Sequence, residues 1–290
     1  MSIQERIYKI SRNNNLSIDT PKTTAKIELS GICTLRCKFC YNSKLLETGE
    51  RQRLMSDKDF KKVLEYIDSI KTIKEVGLFY MGESGLHPKL ATYYKILQEH
   101  GYFTYLTTNG TCFDNVSRAI PFIDSLKVSW NYKNQKDFIG KTNMPVSIYH
   151  KIKSNIKKLY DRCHDLNKEF TISTVLDSCK EDYNQELATL PYDEHYWIPL
   201  QTQGGNFNGA DGVVGESESQ VSPIPCWSLF KGLYVDVDLN IRACAYGHSS
   251  KHILGNLNDI KSVYNSNIIK GEMLTGSIPV MCKECLKNER

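Results

Sequence analysis

The stretch AKIELSGICTLRCKFC, residues 25–40, joins a short alternation of apolar and polar residues to three closely spaced cysteines. The alternation predicts a β-strand that ends at Gly31. Cys33, Cys37 and Cys40 follow at once. If this strand belongs to a parallel barrel, the three thiols lie at its carboxyl edge, where the active sites of such barrels are found.

Five further strands follow, separated by helices. Apolar or alternating runs predict strands at 75–82, 102–108, 124–130, 169–176 and 195–200, and helical periodicity predicts helices at 56–71, 88–101 and 147–165. This alternation is typical of parallel α/β proteins with right-handed crossovers. The six units span about 180 residues, fewer than the ~250 of an eight-fold barrel, so an open or partial barrel is predicted.

The sequence divides into a large barrel region and a small C-terminal region whose composition and residue pattern differ from those of the barrel. The predicted parts are an N-terminal extension (1–24), the barrel (25–203), a linker rich in Gly, Ser and Pro (204–225) and a C-terminal domain (226–290). Within the last part, alternation predicts a β-hairpin at 229–244, and 256–270 predicts one short helix. A module this small often needs a metal centre to stabilise it.

Composition excludes several classes of protein. Of 290 residues, 40% are hydrophobic and 24% charged, which is ordinary for a globular chain and excludes wholesale disorder. A net charge of +4 is too small for a protein built to hold nucleic acid. No apolar run is long enough for a membrane span, and the first fifteen residues contain no apolar stretch of the kind expected in a signal peptide. We therefore expect a cytoplasmic protein without nucleic-acid or membrane partners.

The spacing of the first three cysteines indicates an iron–sulfur site. Thiolates are the ligands that iron–sulfur clusters prefer, and three of them leave one iron of a [4Fe–4S] cluster open. Zinc requires a fourth ligand, and the nearest downstream histidine is His87, outside the loop. A zinc knuckle and incidental thiols remain as the alternatives.

Cys33-x3-Cys37-x-Phe39-Cys40 after the first strand resembles the motif of the radical S-adenosylmethionine (radical SAM) superfamily. The resemblance implies a partial (β/α)6 barrel. It also implies a [4Fe–4S] cluster whose open iron binds S-adenosylmethionine, which is cleaved reductively to a 5′-deoxyadenosyl radical. An external one-electron donor, such as flavodoxin or ferredoxin, is implied with it.

The resemblance extends to contacts with S-adenosylmethionine. Met81-Gly82-Glu83-Ser84 resembles the family's Gly-Gly-Glu-Pro turn, from which it departs at Met81 and Ser84. Thr107-Thr108-Asn109-Gly110 resembles the Thr-Asn-Gly turn near the cofactor. The cofactor-binding residues implied by the resemblance are Phe39, Gly82, Glu83, Thr108, Asn109, Ser129 and Ser173.

Four more cysteines lie near the C-terminus. Cys226, Cys244, Cys282 and Cys285 supply enough thiolates to close a second cluster, although zinc also suits them. Their arrangement around the predicted hairpin resembles the twitch domain, the shortened form of the SPASM domain. The resemblance implies an auxiliary [4Fe–4S] cluster that accepts an electron from a substrate radical, with stabilisation of the small domain as the simpler role.

Three cysteines stand alone: Cys112, Cys163 and Cys179. A lone cysteine is usually a small buried apolar residue. The alternative is a catalytic hydrogen donor, as in a radical epimerase, for which Cys112 and Cys179 are better placed because each follows a predicted strand.

The expected function is therefore that of an enzyme, a radical SAM oxidoreductase (dehydrogenase or epimerase). It would abstract hydrogen from a small polar molecule such as a sugar or aminocyclitol and cause oxidation or epimerisation. Two alternatives remain: a peptide-modifying radical SAM epimerase or cross-linking enzyme, and a non-catalytic iron–sulfur electron carrier.

Overall fold

The computed structural model describes residues 16–49, 52–200, 226–247, 250–259 and 266–277, together with Pro279 and Cys282. The predicted linker (204–225) and Cys285 lie outside the described residues.

Strands and helices alternate along the first 200 residues. The strands are β1 (Thr24–Ile27), β2 (Glu75–Gly77), β3 (Phe103–Thr108), β4 (Ser125–Ser129), β5 (Glu169–Leu176), β6 (Glu194–Pro199), β7 (Gly232–Val235), β8 (Asn240–Arg242) and β9 (Ile253–Asn256). The helices are α1 (Tyr41–Glu47), α2 (Asp57–Ser69), α3 (Leu90–Glu99), α4 (Phe113–Ala119), α5 (Gln135–Thr142), α6 (Val146–Asp165), α7 (Glu181–Leu187), α8 (Trp227–Lys231) and α9 (Ser266–Leu274).

All nine described strands form one sheet in the order β6-β5-β4-β3-β2-β1-β7-β8-β9. Strands β1 to β6 pair in parallel with their sequence neighbours. Strand β7 pairs in parallel with the other edge of β1, and β8 and β9 continue the sheet antiparallel. The predicted α/β class and the mostly parallel sheet are confirmed. The predicted hairpin is β7–β8, and it extends the barrel sheet; the domain boundaries stay a prediction.

The core lies between the sheet and the helices. On β1, Ala25 and Ile27 are fully buried and pack with apolar residues such as Phe60 and Val63 of α2. Because successive side chains of a strand point to opposite faces, Lys26 lies on the face away from the helices. That face encloses the interior of the partial barrel.

Several predicted boundaries are confirmed by local hydrogen bonding. The Ser56 side chain caps α2 by accepting a hydrogen bond from the Asp59 N–H at 3.1 Å. Gly101, with φ of +80°, follows the end of α3 in the left-handed conformation that glycine adopts without strain.

The prediction of a strand over 75–82 is wrong beyond Gly77. The Leu78 N–H donates instead to the Tyr94 hydroxyl at 3.1 Å, which satisfies the amide outside the sheet. The chain then turns, and residues 81–83 are placed against the cysteine loop.

The sequence analysis missed five helices (α1, α4, α5, α7 and α8) and strand β9. These helices have only five to eight residues, which is shorter than the window in which helical periodicity is recognised. Of the predicted helix over 256–270, residues 256–259 are not helical, 260–265 lie outside the described residues, and the rest belongs to α9. No helix among the described residues has the length and apolar character needed to cross a bilayer.

Candidate functional site

The three cysteines of the first motif converge at the carboxyl end of the barrel. They lie close enough that the charge of Cys40 raises the pKa of both Cys33 and Cys37. Backbone contacts fix the loop: the Cys40 N–H donates to the Cys37 carbonyl at 3.0 Å, and the Ser43 hydroxyl donates to the same carbonyl at 2.9 Å. The spacing has therefore placed three thiols on one compact turn.

Burial makes these thiols difficult to ionise without a compensating cation. Burial, followed by the charge of Glu83, raises the pKa of Cys33 to about 12. Burial also raises the pKa values of Cys37 and Cys40. A cationic iron–sulfur core would supply the missing positive charge, because the thiolate is the form that ligates iron. Three partly buried thiols on one turn therefore fit a cluster.

The described residues include no group of three or more His, Cys, Asp or Glu side chains arranged to hold a metal ion. A [4Fe–4S] cluster makes a different geometric demand, because each cysteine binds its own iron atom.

Asn109 connects the third strand to the cysteine loop. Its Nδ2 lies 3.5 Å from Cys33 Sγ and donates to Thr34 Oγ1 at 3.1 Å, while Thr111 Oγ1 donates to its Oδ1 at 2.6 Å. On the other side, the buried Tyr132 hydroxyl lies 4.0 Å from Cys37 Sγ. Hydrogen bonds to the sulfurs are one of the ways in which a protein sets a cluster's potential.

Glu83 braces the loops that follow β2 and β3. The side chain is only 3% exposed, and its Oε1 accepts from the Gly85 N–H at 2.8 Å and the Thr108 hydroxyl at 2.7 Å. Its Oε2 accepts from the Asn109 N–H at 2.8 Å. Burial raises the pKa of this carboxyl. A carboxylate offers about four acceptor positions, so roughly one remains for a ligand's ammonium group.

Gly82 lies against the backbone of the cysteine loop. A Cβ at this position would stand 1.9 Å from the Ser30 carbonyl oxygen and 2.7 Å from that of Ile32. Next to it, the Glu83 N–H donates to the Ile32 carbonyl at 2.8 Å. The close approach explains why glycine occupies this place in the turn.

Glu28 contributes to the candidate site through backbone hydrogen bonds, and the sequence analysis missed it. Its buried carboxylate accepts from the N–H groups of Met81 and Gly82 at 3.2 and 3.3 Å, and from the Val237 N–H at 2.9 Å. It thereby ties the turn after β2 to the C-terminal hairpin. A charged residue directly after the first strand and between the apolar residues Ile27 and Leu29 was the signal that could have identified it.

Three further residues, Ser129, Ser173 and Phe39, are predicted to contact S-adenosylmethionine. Ser129 and Ser173 are direct register partners on β4 and β5, so the structure brings them together, and Ser173 is almost fully buried. Phe39 is also buried, at 8% exposure. His87 is structural, because its Nε2 lies 2.9 Å from the Met55 carbonyl and its Nδ1 accepts from the Lys89 N–H.

The three single cysteines occupy different environments. Cys112 is partly exposed and lines a cleft of about 630 Å³ with Thr34 and Lys151, among others. Cys163 is fully buried in the core, as expected of a packing residue. Cys179 follows β5 and is exposed, and its hydrogen bond to Asp182 raises the pKa of its thiol.

Two cysteines of the C-terminal set, Cys226 and Cys244, lie near Lys22. Burial, followed by the charge of Lys270, lowers the pKa of Lys22 to about 7, and the charges of the two cysteines oppose that shift. The Tyr80 hydroxyl, just after β2, donates to the Cys244 carbonyl at 2.9 Å. Cys282 packs against the core, and Cys285 lies outside the described residues.

Comparison with known proteins agrees with this geometry. The model of the Radical SAM superfamily matches residues 27–165. The crystal structure of BtrN in complex with AdoMet and 2-DOIA superposes with a TM-score of 0.56 at 14% identity over 89% of each chain. The crystal structure of Streptococcus suis SuiB bound to precursor peptide SuiA superposes with a TM-score of 0.52 at 12% identity, covering 90% of this chain and 67% of that one. At these identities the likeness is one of fold. No curated protein matches the sequence.

Proposed function

On the premise that the chain carries a radical SAM domain over residues 27–165, we propose that it abstracts hydrogen from a small polar substrate such as a sugar or aminocyclitol. The outcome is oxidation or epimerisation. When bound, a [4Fe–4S] cluster with S-adenosylmethionine supplies the one-electron cleavage that generates the abstracting radical. An external donor such as flavodoxin or ferredoxin delivers the electron.

One observation carries the proposal: the convergence of Cys33, Cys37 and Cys40 beside Asn109 and Glu83. The three thiols would each hold one iron of the cluster, and the Asn109 amide donates toward Cys33 Sγ. Glu83 and the Gly82 backbone face the place where the cofactor's amino group would bind. A plain electron carrier would have no need of three ligands beside a buried carboxylate.

The C-terminal cysteines Cys226, Cys244, Cys282 and Cys285 are proposed to hold an auxiliary cluster. In an oxidation the substrate loses a hydrogen atom and then a proton and an electron, so an electron acceptor is needed close by. The position of both Cys226 and Cys244 near Lys22 and the bond from Tyr80 to the Cys244 carbonyl support this role.

Iron content and cofactor cleavage test the proposal. Anaerobic reconstitution is expected to give about eight irons per chain with two clusters and about four with one. Dithionite and S-adenosylmethionine are expected to release 5′-deoxyadenosine. Cys33→Ala should abolish this release, whereas Cys163→Ala, the matched control in the core, should retain it. Iron-loaded protein that releases no 5′-deoxyadenosine would instead be an electron carrier.

Peptide modification is the second candidate, because the fold likeness to SuiB extends over 90% of this chain. Oxidation and epimerisation are separated by Cys112→Ala and Cys179→Ala. Loss of a hydrogen donor would stall product formation while 5′-deoxyadenosine is still released.

A further inference from the structure

An open cleft lies beside the cysteine loop, on the helical side of the sheet. Its volume is about 630 Å³, and it is bounded by Thr34 of that loop, by residues of helix α4 and by the beginning of helix α6. Both helices bury apolar residues, such as Val116 and Ile152, in the core that covers the outer face of the sheet. The cleft is therefore separate from the barrel interior, where the substrate is expected to bind.

The lining of the cleft is partly apolar. Four half-buried apolar side chains keep some solvent-exposed surface there: Leu86, Phe113, Met144 and Ile148. Apolar surface that faces water within a recess is unfavourable, and a flat apolar group that fills the recess would remove it from water. The lining therefore suits an apolar group presented by a partner.

The charged residues of the cleft are mainly basic. Arg118 and Lys151 line it, both are exposed, and neither forms an ion pair within the described part of the chain. A third cation stands next to them, because Lys158 Nζ lies 5.5 Å from the centroid of the Phe113 ring. Asp114 is the one carboxylate in the lining. The cleft therefore presents a net positive charge to an approaching molecule.

A short series of hydrogen bonds connects the cleft with Cys33. Thr34 and Thr111 both line the cleft, and their hydroxyl oxygens lie 2.6 Å apart. Asn109 Nδ2 donates to Thr34 Oγ1 at 3.1 Å and lies 3.5 Å from Cys33 Sγ. Arg36, exposed on the same loop, donates from Nη1 to the Cys33 carbonyl at 2.7 Å. An electron that enters at the cleft is therefore close to the first cysteine of the motif.

We propose that this cleft is the docking site of an acidic flavodoxin, which inserts the exposed edge of its flavin. That edge is flat and apolar, as the lining requires, and acidic residues around it complement Arg118 and Lys151. Electron-transfer complexes bury little area, below about 1,200 Å², so a cleft of this size with its rim is sufficient.

The proposal includes one redox step. The reduced flavin loses one electron, the cluster held by Cys33, Cys37 and Cys40 gains it, and no bond forms or breaks. The inference rests on the proposed function and deepens it by naming the partner and the surface that receives it.

Surface plasmon resonance tests the docking site, with the reconstituted holoenzyme immobilised and an acidic, FMN-loaded flavodoxin as the probe. At low salt, association is expected to slow about ten-fold in Arg118→Glu and in Lys151→Glu, because charges at the rim of an interface act mainly on the association rate. The difference from the wild type should shrink in about 0.5 M salt, which screens exposed charges. Lys58→Glu, at an exposed lysine on α2, is the matched control and should associate as the wild type does.

A second measurement follows reduction of the cluster by its absorbance and electron paramagnetic resonance. Reduction by flavodoxin hydroquinone is expected to slow in both cleft variants by the same factor as association. Reduction by dithionite, a small molecule that needs no docking site, should be unchanged in them.

Two results would overturn the inference. One is equal association and equal flavodoxin-driven reduction in the wild type and both cleft variants, with circular dichroism showing that the variants are folded. The other is binding of an acidic ferredoxin, but not of flavodoxin, that the same two variants weaken, because the cleft would then receive an iron–sulfur protein. Release of 5′-deoxyadenosine with dithionite is scored on the same samples. Its absence would count against the proposed function and would leave the docking measurement unaffected.

Discussion

Replacing Gly82 with alanine is expected to displace the cysteine loop rather than the turn after β2 in which Gly82 lies. The added Cβ would lie 1.9 Å from the Ser30 carbonyl oxygen, whereas ordinary contacts begin at 3.4 Å. The two backbones must therefore separate by about 1.5 Å, and no side-chain rotation can provide that space. Overpacking of this kind costs about 1–3 kcal/mol, and a clash between backbones lies at the upper end of that range.

Ser30 and Ile32 lie three residues and one residue before Cys33, so we expect the displacement to reach the thiols. We expect Gly82→Ala to lose about 3 kcal/mol of unfolding free energy in anaerobic urea titrations and to retain less iron after reconstitution. Gly140→Ala is the control, because a Cβ there meets nothing within 4 Å and lies in helix α5. It should gain about 0.5–1 kcal/mol. A Gly82→Ala protein with wild-type stability and a full iron complement would refute the reasoning.

Three further predictions concern buried charges. Glu83→Gln places an amide NH₂ among hydrogen-bond donors that include the Asn109 N–H, so urea titrations should show a loss of about 1–3 kcal/mol; unchanged stability would contradict the bracing role. Asp236→Asn weakens a buried ion pair with Arg242, whose Nε lies 2.5 Å from the carboxylate, and should cost up to about 3–5 kcal/mol; a loss below ~1 kcal/mol would show that hydrogen bonds alone hold the pair. Lys26→Met removes a lysine whose pKa falls from 10.5 to about 8 on folding. The cost of burying the charge is fully present below pH 8 and fades as pH rises toward 10.5, so the variant should be up to ~3 kcal/mol more stable at pH 7, with a flatter profile between pH 8 and 10.5.

The long elements of the fold could be predicted because their patterns are local. Strands β3 to β6 and helices α2, α3 and α6 follow runs of six or more residues with a clear period or apolar character. Helices α1, α4, α5, α7 and α8 are too short for a period to show. The pairing of β7 with β1 joins residues more than 200 positions apart, and no local pattern encodes such a contact.

The residues of the candidate site also fall into those that a local pattern predicts and those that only the folded chain brings together. Spacing alone located Cys33, Cys37 and Cys40, since all three lie on one turn. Tyr132 and Glu28 were missed because each acts on a partner from a distant strand or loop, and only the folded chain brings them together.

The parallel pairing of β7 with β1 also has a consequence for biosynthesis. Strand β1 leaves the ribosome early, but one of its edges has no partner until residues 232–235 have been made. At ordinary elongation rates of about 5–20 residues per second, roughly 200 further residues take about 10–40 s. During that time the nascent chain exposes unpaired amide and carbonyl groups that could pair with another polypeptide. The yield of native protein will depend on what shields that edge while translation continues.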